Sequence, residues 1–244
     1  MSHHLVEARD VVFVYPDGQS ALRGVSFVIH HGESVAIIGG NGAGKSTLLL
    51  HLNGVLTPTS GQVRIGDFPI TRENLAEIRR TVGMIFQDPD DQLFMPTVFD
   101  DVAFGLGQQG LAAQDIGARV EQALATVGAG HLGERPPYRL SGGEKRAVAI
   151  AGVLAMLPSI LVMDEPSSGL DPAARRRVIK LLAGFDHTKV IATHDLDLVL
   201  DLCSRVLVMH QGVIEADGTP AEIFANTDLL QCCNLETPLS YQRR

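Results

Sequence analysis

The chain has 244 residues, which is enough for one domain or two small ones. A formal net charge of −8 argues against a large nucleic-acid-binding face, so we expect no nucleic-acid partner. The longest apolar run, at residues 148–157, is too short to span a bilayer, and the first residues lack the pattern of a signal peptide. These observations predict a cytoplasmic protein that reaches a membrane only through a partner.

The cysteines and paired histidines carry no metal-binding pattern. Cys203, Cys232 and Cys233 have no metal-ligand spacing, so we expect reduced thiols. The His-His pairs at residues 3–4 and 30–31 are expected at solvated ends and turns.

The first predicted elements are two strands, at residues 5–15 and 25–30, separated by a Pro-Asp-Gly turn at residues 16–18. Tyr15 stands at the end of the first strand. An aromatic ring there can stack on a purine, but the residue by itself favours a strand-end tyrosine packed on a loop.

A glycine loop follows. Residues 39–47 fit the pattern G-x-x-x-x-G-K-[ST] without a mismatch, between a predicted buried strand at 34–38 and a helix start at 47–52. Glycine permits the backbone conformations that wrap phosphates with N–H groups, and the helix N-terminus adds its positive end. The predicted nucleotide-binding residues are Gly39, Gly40, Asn41, Gly42, Ala43, Gly44, Lys45, Ser46 and Thr47. Lys45 would bridge the β- and γ-phosphates, and the Ser46 hydroxyl would ligate Mg²⁺.

Alternating elements then lead into a helical region. The sequence predicts a strand at 61–65, a helix at 74–80 and a strand at 82–86 that ends at Gln87. Prolines and acids at residues 88–97 favour irregular structure. Residues 97–128 have a helical pattern with a break at 105–110 and no strand signal, which indicates a helical insertion in an α/β domain.

A second glycine motif, Leu-Ser-Gly-Gly-Glu at residues 140–144, opens a long helix to about residue 157. Ser141 and Glu144 have the spacing of a capping box. A cap needs no glycines between its ends, so Gly142 and Gly143 predict a bare helix N-terminus that can meet a phosphate. Because that phosphate already lies on its own loop, the second face is best supplied by another subunit.

Two carboxylates follow the next apolar strand, at 160–163. Asp164 would hold the Mg²⁺ shell beside the phosphate loop, and Glu165 would act as the general base for the attacking water. The alternative is a pair of capping acids at a strand end. The rest of the chain predicts a helix capped by Asp171, a strand at 189–192 followed by His194, a hairpin at 205–216, a short helix at 220–225 and a polar tail.

In this order, the motifs resemble the ATP-binding subunit of ABC transporters over residues 5–225. The resemblance implies an α/β fold, with a P-loop NTPase core, an antiparallel β subdomain and a helical insertion. We predict one domain, whose core lies at about 1–87 and 140–225. The helical subdomain would occupy about 88–139, and residues 226–244 would form a short tail.

The resemblance also implies an ATPase that closes as a head-to-tail dimer around two ATP molecules. It assigns catalysis to Glu165, His194, Gln87 and Lys45, Mg²⁺ to Ser46, Gln87 and Asp164, adenine stacking to Tyr15, and contacts in trans to Ser141, Gly142, Gly143, Glu144 and Asp171. Most members have Gln where this chain has Glu144. Both residues complete a capping box, so we expect function to be retained.

Residues 86–98, 101–105 and 148–156 are similar to ATPases of energy-coupling-factor importers, most of all the cobalt/nickel type. This implies a transmembrane coupling protein and a membrane substrate-binding protein as partners, a position on the cytoplasmic face of the cell membrane, and uptake of Co²⁺ or Ni²⁺. The same region contains an acidic cluster, which comprises Asp88, Asp90, Asp91, Asp100 and Asp101. This cluster would pair with arginines of the coupling helices, or else form a solvated loop.

Two alternatives stay open at this stage. The cargo can be a vitamin such as biotin, since related ATPases serve several membrane substrate-binding proteins. A non-transport ABC protein that clamps DNA or the ribosome is disfavoured by the single cassette, the absence of heptads and the acidic charge. The sequence leaves homodimer and heterodimer equally open.

Overall fold

A computed structural model describes residues 6–238 and 240–241. The chain begins with an antiparallel sheet of four strands in the order β2-β1-β4-β5. Its strands are β1 Val6–Val14, β2 Ser20–Ile29, β4 Ser60–Ile65 and β5 Phe68–Pro69. The histidine pair at residues 3–4 and the first residue of the predicted strand 5–15 lie outside the described residues.

A second sheet has six strands in the order β10-β9-β3-β8-β7-β6. Its strands are β3 Ser34–Ile38, β6 Val82–Ile85, β7 Ile160–Asp164, β8 Thr188–Ala192, β9 Arg205–His210 and β10 Val213–Gly218. All neighbours are parallel except β10, which pairs antiparallel with β9. Parallel strands covered on both faces read as continuous apolar runs, and every residue of β3, β7 and β8 is buried.

Helices cover both faces of this sheet. The helices that follow β6 and precede β7 along the chain form a separate layer. The helices are α1 Lys45–Leu52, α2 Leu75–Thr81, α3 Val98–Gln108, α4 Ala113–Thr126, α5 Gly142–Ala155, α6 Pro172–Ala183, α7 Leu196–Leu202, α8 Pro220–Ala225 and α9 Thr227–Cys232. Short 3₁₀ turns occur at Arg72–Asn74, Pro89–Asp91, Gly130–Leu132 and Pro137–Arg139. Within the described residues, no helix is both long and apolar enough to cross a membrane.

The core falls into separate clusters because successive strand residues point to opposite faces. Ile37 packs with the antiparallel sheet and α1, whereas its neighbour Ile38 packs on the other face with α6, α7 and α8. A third cluster joins α3 and α4 to α5 and extends to Ala155. The third cluster therefore extends past residue 139, the predicted end of the helical subdomain, into α5 of the predicted core.

Three details differ from the sequence-based expectations. Helix α3 runs without a break to Gln108, because Gly105 allows close packing on Met156 rather than ending the helix. Helix α5 ends at Ala155, before the left-handed residue Leu157 at φ +53°. The elements β5 and α7 were not predicted.

The tail is also more ordered than predicted. It forms α9 and packs on the second core cluster through buried residues Leu230 and Cys233. The carbonyl of Cys233 lies so close to Gly40 that a Cβ on this glycine would stand 3.4 Å from it. The tail therefore buttresses the phosphate loop.

Candidate functional site

The phosphate loop joins β3 to α1 and borders a cavity of about 500 Å³. Gly44 caps α1 at φ +103°, a conformation that glycine adopts without strain. A Cβ on Gly44 would also stand 2.6 Å from the backbone oxygen of Ala21. The loop thus requires glycine for both conformation and space.

Lys45 lies inside the loop that precedes it. Its ammonium donates hydrogen bonds to the carbonyls of Gly39, at 2.8 Å, and Gly40, at 3.2 Å. Burial lowers the pKa of Lys45, and the nearby carboxylates of Glu165 and Asp164 oppose the shift. The only lysine of the phosphate loop therefore faces both strand-end acids.

Asp164 ends β7 beside the loop because β7 and β3 are parallel and finish at the same edge of the sheet. Its Oδ1 atom is buried and has no hydrogen-bond partner among the described residues. Burial raises the pKa of Asp164, and a hydrogen bond from the Ser46 hydroxyl opposes the shift. A buried carboxylate oxygen without a partner, next to a hydroxyl, suits a hard cation.

Glu165 is held in an unusual backbone conformation, with φ +46°, and its side chain is buried. Left-handed conformations at residues other than glycine are costly and concentrate at functional sites. The Oε2 atom accepts hydrogen bonds from the Thr193 hydroxyl at 2.9 Å and the His194 backbone N–H at 3.2 Å. The ring Nδ1 of His194 lies 2.9 Å from Oε1.

These contacts fix the carboxylate of Glu165 while leaving the imidazole accessible. The His194 side chain is 69% exposed and lines the cavity. Because Nδ1 faces the carboxylate, Nε2 is the ring nitrogen available to a ligand.

Asp195 anchors the loop that carries His194. Its carboxylate pairs with Arg175 of α6 through contacts of 2.6 and 2.8 Å, and accepts a hydrogen bond from Ser167 at 3.0 Å. Burial raises the pKa of Asp195, but the hydrogen bonds from Arg175, the backbone of Leu198 and Ser167 outweigh it and leave the pKa lowered. The segment after Glu165 and the His194 loop are thereby tied together.

Gln87 and Tyr15 line the same cavity. The Tyr15 hydroxyl lies 2.9 Å from the Thr47 hydroxyl, and its ring packs edge-on against Phe13 at 4.9 Å. Stacking of Tyr15 on adenine stays a prediction. Gln19 also lines the cavity and was not anticipated; the predicted turn at residues 16–18, which returns the chain beside Tyr15, was the available signal.

The second glycine motif forms the start of α5 and lies away from this cavity. The capping box is present: Glu144 accepts hydrogen bonds from the Ser141 backbone N–H at 2.8 Å and hydroxyl at 2.7 Å. Asp171 caps α6 by accepting from two backbone N–H groups at 2.8 Å. Of Ser141, Gly142, Gly143, Glu144 and Asp171, all of which the structure describes, none lines the phosphate-loop cavity.

The acidic cluster is less available than the sequence suggested. Asp90 pairs with Lys145 at 2.6 Å, Asp88 accepts from a backbone N–H, and Asp100 accepts from Thr97. Asp101 accepts from the backbone N–H groups of residues 94 and 95 through Oδ1, whereas its Oδ2 is buried without a partner among the described residues. The loop therefore uses four of the five carboxylates for its own backbone and side chains, Asp91 is exposed, and pairing of the cluster with arginines of a partner stays a prediction.

Comparison with known proteins places the chain in a family. The family model for ABC transporters matches residues 22–168. An ABC transporter ATP-binding protein of Geobacter sulfurreducens is 63% identical over 99% of this chain and 97% of its own length. The energy-coupling factor transporter ATP-binding protein EcfA of Methanocaldococcus jannaschii is 47% identical over 96% of this chain and 86% of its own length.

Solved structures agree in fold. CbiO1 of Clostridium perfringens, part of the ABC transporter complex cbiONQ, superposes with a TM-score of 0.80 at 40% identity and covers 95% of both chains. A dimeric ATP-binding cassette in a post-hydrolysis state, bound to ADP and Pi, superposes with a TM-score of 0.81 at 28% identity. It covers 88% of this chain and 98% of the other.

These matches confirm the predicted fold class, the family and the ATPase activity. By family model, by relatives of high identity over nearly the whole length and by superposition, the chain belongs to the ABC transporter family, as an ATP-hydrolysing subunit related to the energy-coupling-factor ATP-binding proteins.

Proposed function

We propose that this chain hydrolyses ATP to power an energy-coupling-factor importer for Co²⁺ or Ni²⁺. The observation that carries the proposal is a single cavity of about 500 Å³ that collects every functional side chain expected within one subunit. The phosphate loop and Lys45 line it together with Gln87, Asp164, Glu165 and His194. Similarity to EcfA and CbiO1 supports the importer class.

The residues present fit Mg²⁺. Asp164 offers a buried carboxylate oxygen without a partner among the described residues, and the Ser46 hydroxyl acts on the same carboxylate by lowering its pKa against the effect of burial. Ser46, Asp164 and Gln87 would hold the ion, which would neutralise developing phosphate charge when ATP is bound. Residues 39–47 would wrap the phosphates through backbone N–H groups.

Hydrolysis assigns a separate role to each remaining side chain. Glu165 would accept a proton from the attacking water. The oxygen of that water would bond to the γ-phosphorus while the bond between the γ-phosphorus and the β-phosphate oxygen breaks. Thr193 and His194 hold that carboxylate in place, and His194 would donate to the γ-phosphate through Nε2. Lys45 would leave its two carbonyl partners to bridge the phosphates.

A head-to-tail dimer would complete the site. The start of α5 carries bare N–H groups at Gly142 and Gly143, where an added Cβ would meet at most one atom within 4 Å. Because this helix start lies outside its own cavity, it serves the ATP of a second subunit. Asp171 would approach from the neighbouring start of α6, since Gly143 lies beside Ala174.

The helical subdomain, about residues 88–139, would receive the transmembrane coupling protein together with α5 of the core, on which it packs. The groove there is lined by Asp101 and by Phe94 and Phe104, which are exposed and pack edge-to-face at 5.0 Å. The exposed carboxylate of Asp91 in the adjoining loop would accept an arginine of the partner, whereas Oδ2 of Asp101 is buried. The subunit would thus bind at the cytoplasmic face of the membrane, with residues 1–87 and 140–225 as the ATPase core.

A pull-down from native membranes in mild detergent, with metal-uptake assays on cells lacking this chain, tests the proposal. We expect recovery of a small transmembrane protein, loss of Co²⁺ or Ni²⁺ uptake, and restoration by the wild-type chain but not by Lys45→Ala. Recovery of the membrane partner with normal metal uptake would keep the importer and replace the metal by another cargo, a vitamin such as biotin first. Recovery of DNA or ribosomes without a membrane protein would overturn the transport role.

A further inference from the structure

Arg146 connects α5 to Phe86 and Gln87, the two residues that follow β6. It lies in the first turns of α5 and is only 2% exposed. Its Nη1 donates to the carbonyl of Phe86 at 2.6 Å, and its Nη2 donates to the carbonyl of Gln87 at 2.5 Å. One guanidinium thus holds two consecutive backbone carbonyls, including that of a candidate catalytic residue.

Two further contacts attach the same segment to α5. The side-chain oxygen of Gln92 accepts from the Phe86 N–H at 3.3 Å, and its nitrogen donates to the carbonyl of Ala149 at 2.9 Å. Lys145 pairs with Asp90 at 2.6 Å. The backbone of Phe86 is therefore bound through both its N–H and its C=O, and the segment after it is anchored to α5.

The position of Gln87 explains why this attachment matters. Gln87 lines the phosphate-loop cavity and also a second cavity of about 450 Å³. Gly142 and Arg146 line that second cavity from α5. A displacement of α5 relative to the six-stranded sheet would act on Gln87 through Arg146, since the guanidinium is bonded to its backbone.

We propose that Arg146 is a positioning residue that sets the placement of Gln87 in the ATP site according to the position of α5. The inference rests on the proposed function, because it takes Gln87 to contact Mg²⁺ or the attacking water. Arg146 itself does not line the phosphate-loop cavity and acts through Gln87.

The chemistry of the contact favours arginine. A planar guanidinium presents parallel N–H groups at a fixed spacing, whereas an ammonium is a single point charge on a flexible stem. Burial lowers the pKa of Arg146, and the carboxylates of Asp88 and Asp164 oppose the shift. Lysine at this position would keep the charge and lose the fixed two-carbonyl geometry.

A double-mutant cycle between Arg146→Met and Gln87→Ala tests the proposal in the full-length protein. ATP turnover and binding of a fluorescent ATP analogue are measured for each variant. We expect Arg146→Met to lower kcat by about tenfold with the dissociation constant of the nucleotide changed by less than about twofold, and Arg146→Lys to fall between. Because Arg146 acts through Gln87, the double variant should have a kcat within about twofold of Gln87→Ala alone.

Arg119→Met is the matched control. Arg119 is a partly buried arginine on α4 that contacts the carbonyl of Ala155 and lines neither of the two cavities that Gln87 borders, so its removal should leave kcat unchanged. If Arg146→Met fails to fold, Arg146→Lys takes its place in the cycle, because it keeps the charge and loses the fixed two-carbonyl geometry.

The outcomes separate this inference from the proposed function. Losses that multiply in the double variant, or an unchanged kcat in the folded Arg146 variant, would overturn the positioning role and leave the ATPase assignment intact. An unchanged kcat in Gln87→Ala would instead refute the role proposed for Gln87, on which the inference rests.

Discussion

Replacing Glu165 by glutamine tests the proposed general base with little disturbance of its surroundings. The carboxylate accepts from the Thr193 hydroxyl, the His194 N–H and the His194 ring. The amide oxygen of glutamine can keep the first two contacts. Its NH₂ group then faces Nδ1, and a neutral imidazole can accept there by carrying its proton on Nε2.

The expected effect on turnover is much larger than that on folding. Loss of a general base lowers kcat by about 100- to 10,000-fold. This corresponds to about 2.7–5.5 kcal/mol in the activation barrier. Retained hydrogen bonds should keep the change in unfolding free energy below about 1 kcal/mol. ATP should still bind, because the phosphate loop and Lys45 are untouched.

Phosphate release and light scattering with ATP and Mg²⁺ measure the two consequences. We expect Glu165→Gln to bind ATP and to accumulate as a dimer that turns over slowly. Glu121→Gln makes the same chemical change on the exposed face of α4 and should behave as wild type. A Glu165→Gln kcat within about threefold of wild type would refute the assignment of the base, and a variant that stays monomeric with ATP would count against the head-to-tail dimer.

Further predictions follow from single sites. Lys45→Ala should abolish nucleotide binding or turnover in the same assays, and undiminished turnover would refute the phosphate-loop assignment. Gly44→Ala should weaken ATP binding, since its Cβ would strain a backbone at φ +103° by about 1–3 kcal/mol; calorimetric titration measures the loss. Asp195→Asn should lower the urea-unfolding free energy at pH 7 by about 1–3 kcal/mol. Because the folded pKa of Asp195 is lowered, the wild-type advantage is complete above about pH 4 and is lost as pH falls further. Burial raises the pKa of Cys203 to about 12, so iodoacetamide at pH 8 should spare Cys203 in the folded protein and label exposed Cys232, as peptide mass mapping would show.

Local sequence determined the elements that carry the site. Three features could be predicted from the sequence because each depends on neighbours within a few positions. They are the phosphate loop at residues 39–47, the capping box of Ser141 and Glu144, and the strand that ends at Asp164. Turn chemistry, helix caps and apolar runs are short-range properties of the chain, so their patterns survive without knowledge of the fold. The order of these motifs then led to the family resemblance, and the comparisons confirm the family.

Tertiary structure decided how those elements are used. The break predicted at 105–110 begins only after Gln108, because Gly105 stays helical and packs on Met156, more than 50 residues away along the chain. The acidic cluster is largely consumed by contacts such as Asp90 with Lys145. Three further features depend on segments that are distant in sequence. They are the buried, unpartnered oxygen of Asp164, the two carbonyl contacts of Arg146 and the packing of the tail against Gly40. Such contacts depend on which surfaces the sheet and helices bring together, and no pattern of neighbouring residues encodes them.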